Sequence, residues 1–264
     1  MADISTTLDN IISHWKLEEA SGTRVDATAS GNDLSDVNTV GSAVGKIGQA
    51  ADFEYSNSEY LTITDASQTG LDINSDFSMS AWIKFESLPT TAGQDAGVMA
   101  KFSSSGNNRA YGWYFKGEDA NKMAVFITPS GASGNRIFVQ TSASMVTTGE
   151  LGTWHHYGVS FDLSSGAVVF YKDGSAVSQS TNNAGTVNSI QNNSLDFRIG
   201  HMNQAGAQHI DAIIDECTVT SDIITSGEFS TIYNSGDGIP YAEAAPSFTP
   251  TPMLHMLAQA GGVL

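Results

Sequence analysis

Short runs of alternating apolar and polar residues, separated by clusters of Gly, Asn, Ser and Asp, recur along most of this 264-residue chain. The clearest run is Phe77–Phe85, in which the odd-numbered positions are apolar and the positions between them are Ser, Ser, Trp and Lys. Successive side chains of a strand point to opposite faces, so this run predicts a strand with one face in a core. The recurring pattern predicts an all-β fold, either a sandwich or a barrel, with few helices.

Further strands are predicted at 112–116, 122–128, 136–141, 154–162, 167–172, 195–199 and 210–220. From Val168 to Tyr171 the chain is apolar at both parities, which predicts a strand that is covered on both faces. One short helix is predicted at 226–234 from the spacing of its apolar residues. The length suits one large β domain, because sandwiches of roughly 200–250 residues form a single unit.

The charge balance limits the partners of the chain. The 28 acidic side chains outnumber the 11 basic ones, which gives a formal net charge of −17. Such a protein repels phosphate backbones and anionic lipids, so we expect no nucleic-acid partner. No apolar run is long enough for membrane insertion, and the single cysteine, Cys217, excludes an intrachain disulfide. The N-terminus lacks the pattern of a signal peptide, so we expect synthesis in the cytoplasm.

The composition changes near Gly238, beyond which four of the six prolines lie. Proline cannot donate to a sheet ladder, so this segment predicts an extended arm outside the sandwich. The arm either docks on a partner or is a free end, and both interpretations stay open. The candidate docking residues are Pro250, Pro252, Met253, Leu254, Met256 and Leu257. We divide the chain into an N-terminal segment (1–11), a domain (12–238) and a C-terminal arm (239–264).

Nine short motifs occur in the order of a known family. They are WKLEEASG (15–22), Asp26 with SGN (30–32), GKIGQAADF (45–53), FSMSAWI (77–83), GTWHHY (152–157), YKDG (171–174), RIG (198–200), IDE (214–216) and IYNSG (232–236). Over residues 12–238 the chain resembles the laminin-G-like domains of the concanavalin A-like lectin/glucanase superfamily. The resemblance implies an all-β jelly-roll sandwich of two curved antiparallel sheets. It does not cover the arm, and it leaves the function open, because this fold hosts binding modules, enzymes and structural domains.

Catalytic residues are not predicted. Glycan hydrolysis needs two carboxylates that face one cleft, but the glucanase pattern Glu-X-Asp-X-X-Glu is absent from the sequence. Asp215 and Glu216 are adjacent and would point to opposite faces of a strand. Asp211 and Asp215 would share a face, although such a pair is more often solvated or bound to a metal. No zinc motif, nucleophile elbow or phosphate-binding loop occurs in the sequence.

Calcium is the candidate cofactor, as a structural ion. Asp26 and Asn32 offer oxygens on a turn, and Asp215 lies at the parity of Ile213, Cys217 and Val219, in a partly covered position. The resemblance implies that this turn and the IDE strand can approach each other, as they do where laminin-G-like domains hold a structural Ca²⁺. In the alternative interpretation, Asp26 and Asn32 make Asx-type turns and Asp215 accepts backbone N–H groups.

Three aromatic residues are candidates for glycan binding. Trp82 occupies the polar parity of its strand, and Tyr111 and Trp113 lie in the aromatic run 111–115. Exposed on a curved sheet, these rings would stack on the apolar faces of sugars. The alternative is that the second sheet or a covering loop buries them, which is the usual fate of isolated large rings.

These observations favour a non-catalytic module for display and attachment. A lectin-like fold with an acidic surface, no export signal and no disulfide suits a virion decoration, tail or fibre protein. It would dock through its arm, repeat on a symmetric assembly at the virion or extracellular surface, and bind host glycans. The alternative function is a Ca²⁺-dependent carbohydrate-binding or adhesin domain of a bacterial surface or secreted system. A glycoside hydrolase is the third and least favoured class.

Overall fold

The computed structural model describes residues 2–89, 95–181, 183, 185–204 and 208–242. The helices are α1 (Ile4–Thr7) and α2 (Ser226–Tyr233). The strands are β1 (Ile11–Trp15), β2 (Ser35–Val37), β3 (Gly41–Val44), β4 (Gln49–Phe53), β5 (Tyr60–Ile63), β6 (Phe77–Phe85), β7 (Asp95–Ser103), β8 (Asn108–Lys116), β9 (Lys122–Ile127), β10 (Ile137–Thr141), β11 (His155–Asp162), β12 (Ala167–Lys172), β13 (Ser175–Val177), β14 (Gln179–Thr181), β15 (Phe197–Ile199) and β16 (Ala212–Thr220). Short 3-10 turns connect several of these elements.

The strands form two eight-stranded antiparallel sheets. Sheet A has the order β13-β12-β11-β6-β16-β4-β3, and β1 pairs with the C-terminal half of β16 on the edge that β4 shares. Sheet B has the order β14-β10-β9-β8-β7-β15-β5-β2. The predicted jelly-roll sandwich is therefore confirmed, and so is the short C-terminal helix. No helix among the described residues is long and apolar enough to span a membrane.

The core between the sheets follows the alternation of the strands. The odd-numbered residues of Phe77–Phe85 are at most 2% exposed and belong to one continuous apolar cluster. Aromatic rings meet edge to face across this cluster, as between Phe85 and Phe115 at 4.9 Å and between Phe115 and Tyr157 at 5.1 Å. Full burial of such side chains stabilises the fold by roughly 1.5–3 kcal/mol each, so the core is the main source of stability.

The eight strands predicted from the sequence all have counterparts, with ends that differ by a few residues. Strand β7 was not predicted, although it lies in the middle of sheet B. The expectation that Val168 to Tyr171 are covered on both faces is wrong at Val169, which is 36% exposed. It holds at Tyr171, because Phe229 of α2 stacks on that ring at 3.9 Å.

Helix α2 covers the outer face of sheet A. Its start is fixed by a capping box, in which Thr225 and Glu228 exchange hydrogen bonds between side chain and backbone. Phe229 fits against the sheet because Gly158 has no side chain, and a Cβ there would lie 2.1 Å from the Phe229 ring. Trp82 is also buried on this face, where it stacks with Tyr233 at 5.7 Å.

The first and last described segments of the chain meet on the same outer face of sheet A. The backbone N–H of Ile4 donates to the carbonyl of Pro240 at 2.9 Å, and Tyr241 stacks on His14 at 4.6 Å. Ile4 and Ile239 are buried in one apolar cluster with α2. The packed unit therefore extends beyond the predicted boundaries at 11 and 239, through residue 241. The candidate docking residues of the arm, from Pro250 to Leu257, lie outside the described residues.

Candidate functional site

The outer face of sheet B carries a groove of ≈ 210 Å³. We call it the aromatic groove and define it by Tyr114 and Lys116 on β8, Phe126 on β9, Arg136, and Phe138 on β10. The two phenylalanine rings are partly exposed, whereas Tyr114 is buried in the floor. Partly exposed aromatic rings on a sheet surface with a polar rim offer a face on which a ligand can stack. The aromatic groove is therefore the candidate binding site.

The strand alternation turns these aromatic side chains outward. In β9, Val125 and Ile127 point into the core, so Phe126 between them points away from it. In β10, Ile137 and Val139 are buried in the core, and Phe138 is again the outward residue. Sequence reasoning missed both phenylalanines. The signal that could have found them is a large ring at the off-core parity of a strand, which is the argument used for Trp82.

The rings rest on a second apolar layer that holds them in place. Phe102 on β7 is 5% exposed and meets Phe126 edge to face at 5.5 Å, and Phe126 lies 6.3 Å from Phe138. Met202 is completely buried in the same cluster, beside Tyr114. Packing against this buried layer restricts the rotamers of the two rings while one side of each stays open, so the groove is formed before any ligand arrives.

Cationic side chains lie over one face of each ring. The Lys116 ammonium is 5.6 Å from the centroid of Phe138, and the Arg136 guanidinium is 5.9 Å from that of Phe126. Lys116 also pairs with Glu118 at 3.3 Å, while Arg136 donates to the backbone oxygen of Ser133. The groove therefore offers both apolar faces and hydrogen-bond donors, which is the combination that a sugar ring with its hydroxyl groups requires.

Asp95, the first residue of β7, is the buried acid of the groove. It is 5% exposed, and its Oδ1 has no hydrogen-bond partner among the residues that the structure describes. Burial, and secondarily the charge of Glu118, raises the pKa of Asp95 to about 6, while Lys116 opposes the shift. At pH 7 the carboxylate of Asp95 is therefore mostly ionised, and its Oδ1 can still accept a hydrogen bond.

The predicted glycan-binding rings do not lie in this groove. Trp82, Tyr111 and Trp113 are each at most 1% exposed, so the expectation that they are exposed is wrong. Trp82 lies under α2 and is covered by Lys46, whose ammonium is 5.0 Å from the ring. Tyr111 and Trp113 point into the core between the sheets, and the Tyr111 hydroxyl donates to the carbonyl of Leu71 at 2.8 Å. The alternative interpretation, burial by the second sheet or a covering loop, matches Tyr111 and Trp113, which lie in the core between the sheets, whereas the segment that covers Trp82 is a helix.

Asp26 and Asn32 hold a turn together. The carboxylate of Asp26 accepts backbone N–H groups of His14 at 3.1 Å, Thr28 at 2.9 Å and Asn32 at 3.0 Å. The Asn32 side chain exchanges two hydrogen bonds with the backbone of Thr69, at 2.6 and 2.8 Å. Both oxygens of Asp26 are occupied, which matches the Asx-turn alternative rather than a calcium ligand.

Asp215 lies apart from that turn, because β1 runs between them. Trp15 of β1 forms a bridge with Asp26 on one edge and pairs with Cys217 of β16 on the other. A bulge at Glu216, with a φ of 50°, also shifts the parity of β16. Asp215 therefore faces outward while Cys217 faces the core, and the predicted parity is wrong on this point.

The carboxylates of Asp215 and Glu18 anchor the turn at residues 45–49. Asp215 Oδ2 accepts the N–H of Ile47 at 2.9 Å, and Glu18 Oε2 accepts the N–H of Gln49 at 2.8 Å. A Cβ at Gly45 would lie 2.7 Å from Asp215 Oδ2, which explains the glycine of the GKIGQAADF motif.

Asp215 alone of the predicted trio has a free ligand atom. Its Oδ1 is buried and has no hydrogen-bond partner in the described residues, and burial raises the pKa of Asp215 to about 8. An unpaired buried carboxylate oxygen fits a cation. Asp26 and Asn32 do not fit one, so calcium remains a prediction that concerns Asp215 and not the three residues together.

A separate acidic cluster lies at one end of sheet A. Asp52, Glu54 and Glu86 place one carboxylate oxygen each within 4.8 Å of one another. Burial, and then the neighbouring carboxylates, raises the pKa of all three. Glu54 and Glu86 are exposed, and such acidic groups are common without an ion. We assign no metal to them.

A family model and several solved structures match this chain. The model named Laminin_G_3, described as the concanavalin A-like lectin/glucanases superfamily, matches residues 55–229. No curated protein sequence matches the chain. Domain 4 of AbnA, a GH43 extracellular arabinanase from Geobacillus stearothermophilus, was solved in complex with arabinotriose. It is 20% identical with a TM-score of 0.52, and the match covers 84% of this chain and 97% of that one.

Binding domains of botulinum neurotoxins are also similar in fold. The binding domain of botulinum neurotoxin DC in complex with SialylT is 12% identical, with a TM-score of 0.61, over 86% of this chain and 52% of that one. A structure of botulinum neurotoxin type C, whose cell entry depends on two ganglioside molecules, is 14% identical with a TM-score of 0.61, over 88% and 52%. The chain thus spans about half of these domains. At such identities the likeness shows the shared fold alone.

Proposed function

Because the chain belongs to the concanavalin A-like lectin/glucanases superfamily, we propose that it is a non-catalytic module that binds glycans in the aromatic groove. The observation that carries this proposal is the pair of partly exposed rings, Phe126 and Phe138, beside the cations of Arg136 and Lys116. The C–H faces of a sugar would stack on the rings, and its hydroxyl groups would accept from the cations. The arabinotriose and ganglioside of two proteins with this fold support a glycan as the ligand class.

The groove and the terminal parts of the described residues lie on opposite faces of the sandwich. The groove is on the outer face of sheet B, whereas Ile4 and Ile239 are packed on the outer face of sheet A. Attachment through either end would therefore leave the groove pointing away from the assembly. We propose display of this kind on a virion, as a decoration, tail or fibre protein. The second candidate is an adhesin or carbohydrate-binding domain of a bacterial surface or secreted system.

The double variant Phe126→Ala and Phe138→Ala is expected to weaken glycan binding at least tenfold, because aromatic contacts dominate such interfaces and a combined loss of about 1.4 kcal/mol already corresponds to tenfold. A glycan array, followed by calorimetry on the best ligand, would measure the loss. Val44→Ala is the matched control, since Val44 is 74% exposed on sheet A, away from the groove. The proposal would be refuted if the wild-type protein bound no glycan on a broad array, or if the double variant bound the best ligand as tightly as the wild-type protein does.

Deletion of residues 243–264 is expected to abolish incorporation into the assembly while the melting temperature changes little. The truncated chain keeps Ile239, Pro240 and Tyr241, which pack on the domain, so its fold is preserved. Particles purified from producing cells would be assayed for the full-length and the truncated protein. Incorporation at the wild-type level would show that the arm isn't the attachment.

A further inference from the structure

The buried carboxylate of the groove lacks a partner for one oxygen. Asp95 pairs with Lys116 in the β7–β8 register, and a backbone hydrogen bond from Gly117 reaches its carboxylate. Within the described part of the chain no group donates to its Oδ1, and the residue is only 5% exposed. His209 and Asp211, which line a small cavity with Asp95, do not bond to that oxygen either. An ionised carboxylate left partly unsatisfied is costly, so a ligand hydroxyl that reaches Asp95 from the groove and donates to it gains affinity.

The charges around Asp95 decide which ligands can make that donation. Glu118 adds a second negative charge at the groove, and its partner Lys116 is already engaged at 3.3 Å. Arg136 lies across the groove and has N–H groups beyond the one that donates to Ser133. The groove thus presents an acceptor on one side and donors on the other. Hydroxyl groups both donate and accept, whereas a carboxylate only accepts.

We propose that Asp95 makes the aromatic groove selective for uncharged, hydroxyl-rich glycans over acidic ones. A neutral sugar donates a hydroxyl to Asp95 and accepts from Arg136 at the same time. An acidic sugar brings an anion towards Asp95 and Glu118, on a chain whose net charge is already −17. The inference rests on the proposed function, since it names the ligand class of that same groove.

The first test compares matched glycans that differ only in charge. Lactosamine-terminated glycans with and without sialic acid form one pair, and free and methyl-esterified galacturonan form another. We expect at least tenfold tighter binding of the uncharged member in each pair that binds. Equal or tighter binding of the acidic members would overturn the selectivity and leave glycan binding intact. Failure of every glycan on a broad array would overturn the proposed function and this inference with it.

The second test is the variant Asp95→Asn, which keeps the shape of the side chain and removes its charge. Binding of an uncharged glycan is expected to weaken about tenfold at pH 7.5. Asp9→Asn is the matched control, because Asp9 is exposed and precedes β1 of sheet A, away from the groove, so its loss should change the affinity less than threefold. Circular dichroism and thermal melts would verify that both variants fold.

The pH dependence of glycan affinity in the wild-type protein tests the role of Asp95 even if Asp95→Asn fails to fold. The pKa of Asp95 is raised to about 6, so the ionised acceptor is lost as the pH falls below that value. Affinity for an uncharged glycan should be constant above pH 7 and fall by up to about tenfold per pH unit below pH 6. Burial lowers the pKa of His209, so its protonation belongs to a more acidic range than that of an exposed histidine. A flat profile from pH 7.5 to 5 would overturn the role of Asp95.

Discussion

Replacing Lys101 with methionine is expected to lower the free energy of unfolding by about 3 kcal/mol, the lower end for a broken buried ion pair. Lys101 lies on β7 and is completely buried. Its ammonium pairs with Asp65 and Asp72 and donates to the carbonyl of Asn193 at 3.0 Å. Without the lysine both carboxylates lose their cation. Both carboxylates are partly exposed, so water offsets part of the loss. The melting temperature should fall by roughly 6–12 °C.

Lys122 serves as the control for Lys101, because its substitution also removes a positive charge, but from a partly exposed ion pair. Lys122 pairs with Asp119 at 3.0 Å, but its side chain is 21% exposed. Lys122→Met should therefore cost less than about 1 kcal/mol. Adding Asp65→Asn and Asp72→Asn to Lys101→Met should restore part of the stability, because the uncompensated charges are then gone. Similar losses for Lys101→Met and Lys122→Met in denaturant titrations would contradict the role of the buried cluster.

The same lysine explains why β7 was missed in the sequence. In β6 apolar residues alternate with Ser, Trp and Lys, so the pattern is visible in a single segment of the sequence. In β7 every residue is buried, and the apolar run is interrupted by Lys101. The charge is tolerated only because Asp65 and Asp72 come from a distant loop. Local patterns predict strands whose stability depends on alternation, but not those that need partners from elsewhere in the chain.

The sequence pattern also could not locate the candidate site. Trp82 and Phe126 both lie at positions of their strands that face away from the core. The sequence pattern therefore gives the same prediction for both residues. In the structure α2 covers Trp82 on sheet A, while the corresponding face of sheet B stays open at Phe126. Alternation predicts which residues leave the core, but it does not show which sheet face a later segment covers. The bulge at Glu216 is a further example, because one inserted residue reversed the predicted parity around Asp215.

The variant Gly97→Ala is expected to disturb both the stability and the groove. A Cβ at Gly97 would lie 2.3 Å from the backbone nitrogen of Met202 and 2.5 Å from the backbone carbon of His201. Backbone cannot rotate away as a side chain can, so the 201–202 segment must shift off sheet B. Overpacking of this kind typically costs about 1–3 kcal/mol. Met202 packs beside Tyr114 under the groove, so the shift should also weaken glycan binding.

Gly134→Ala is the matched control for this prediction, because it adds the same methyl group. No atom lies within 4 Å of a Cβ at Gly134, and the residue is exposed. A glycine-to-alanine change without strain is neutral, or stabilises by about 0.4–1 kcal/mol through the unfolded chain. Denaturant titration and glycan calorimetry on both variants would compare the two sites. Equal stability and affinity would mean that the 201–202 segment yields freely, and that the floor of the groove isn't held by its close approach to Gly97.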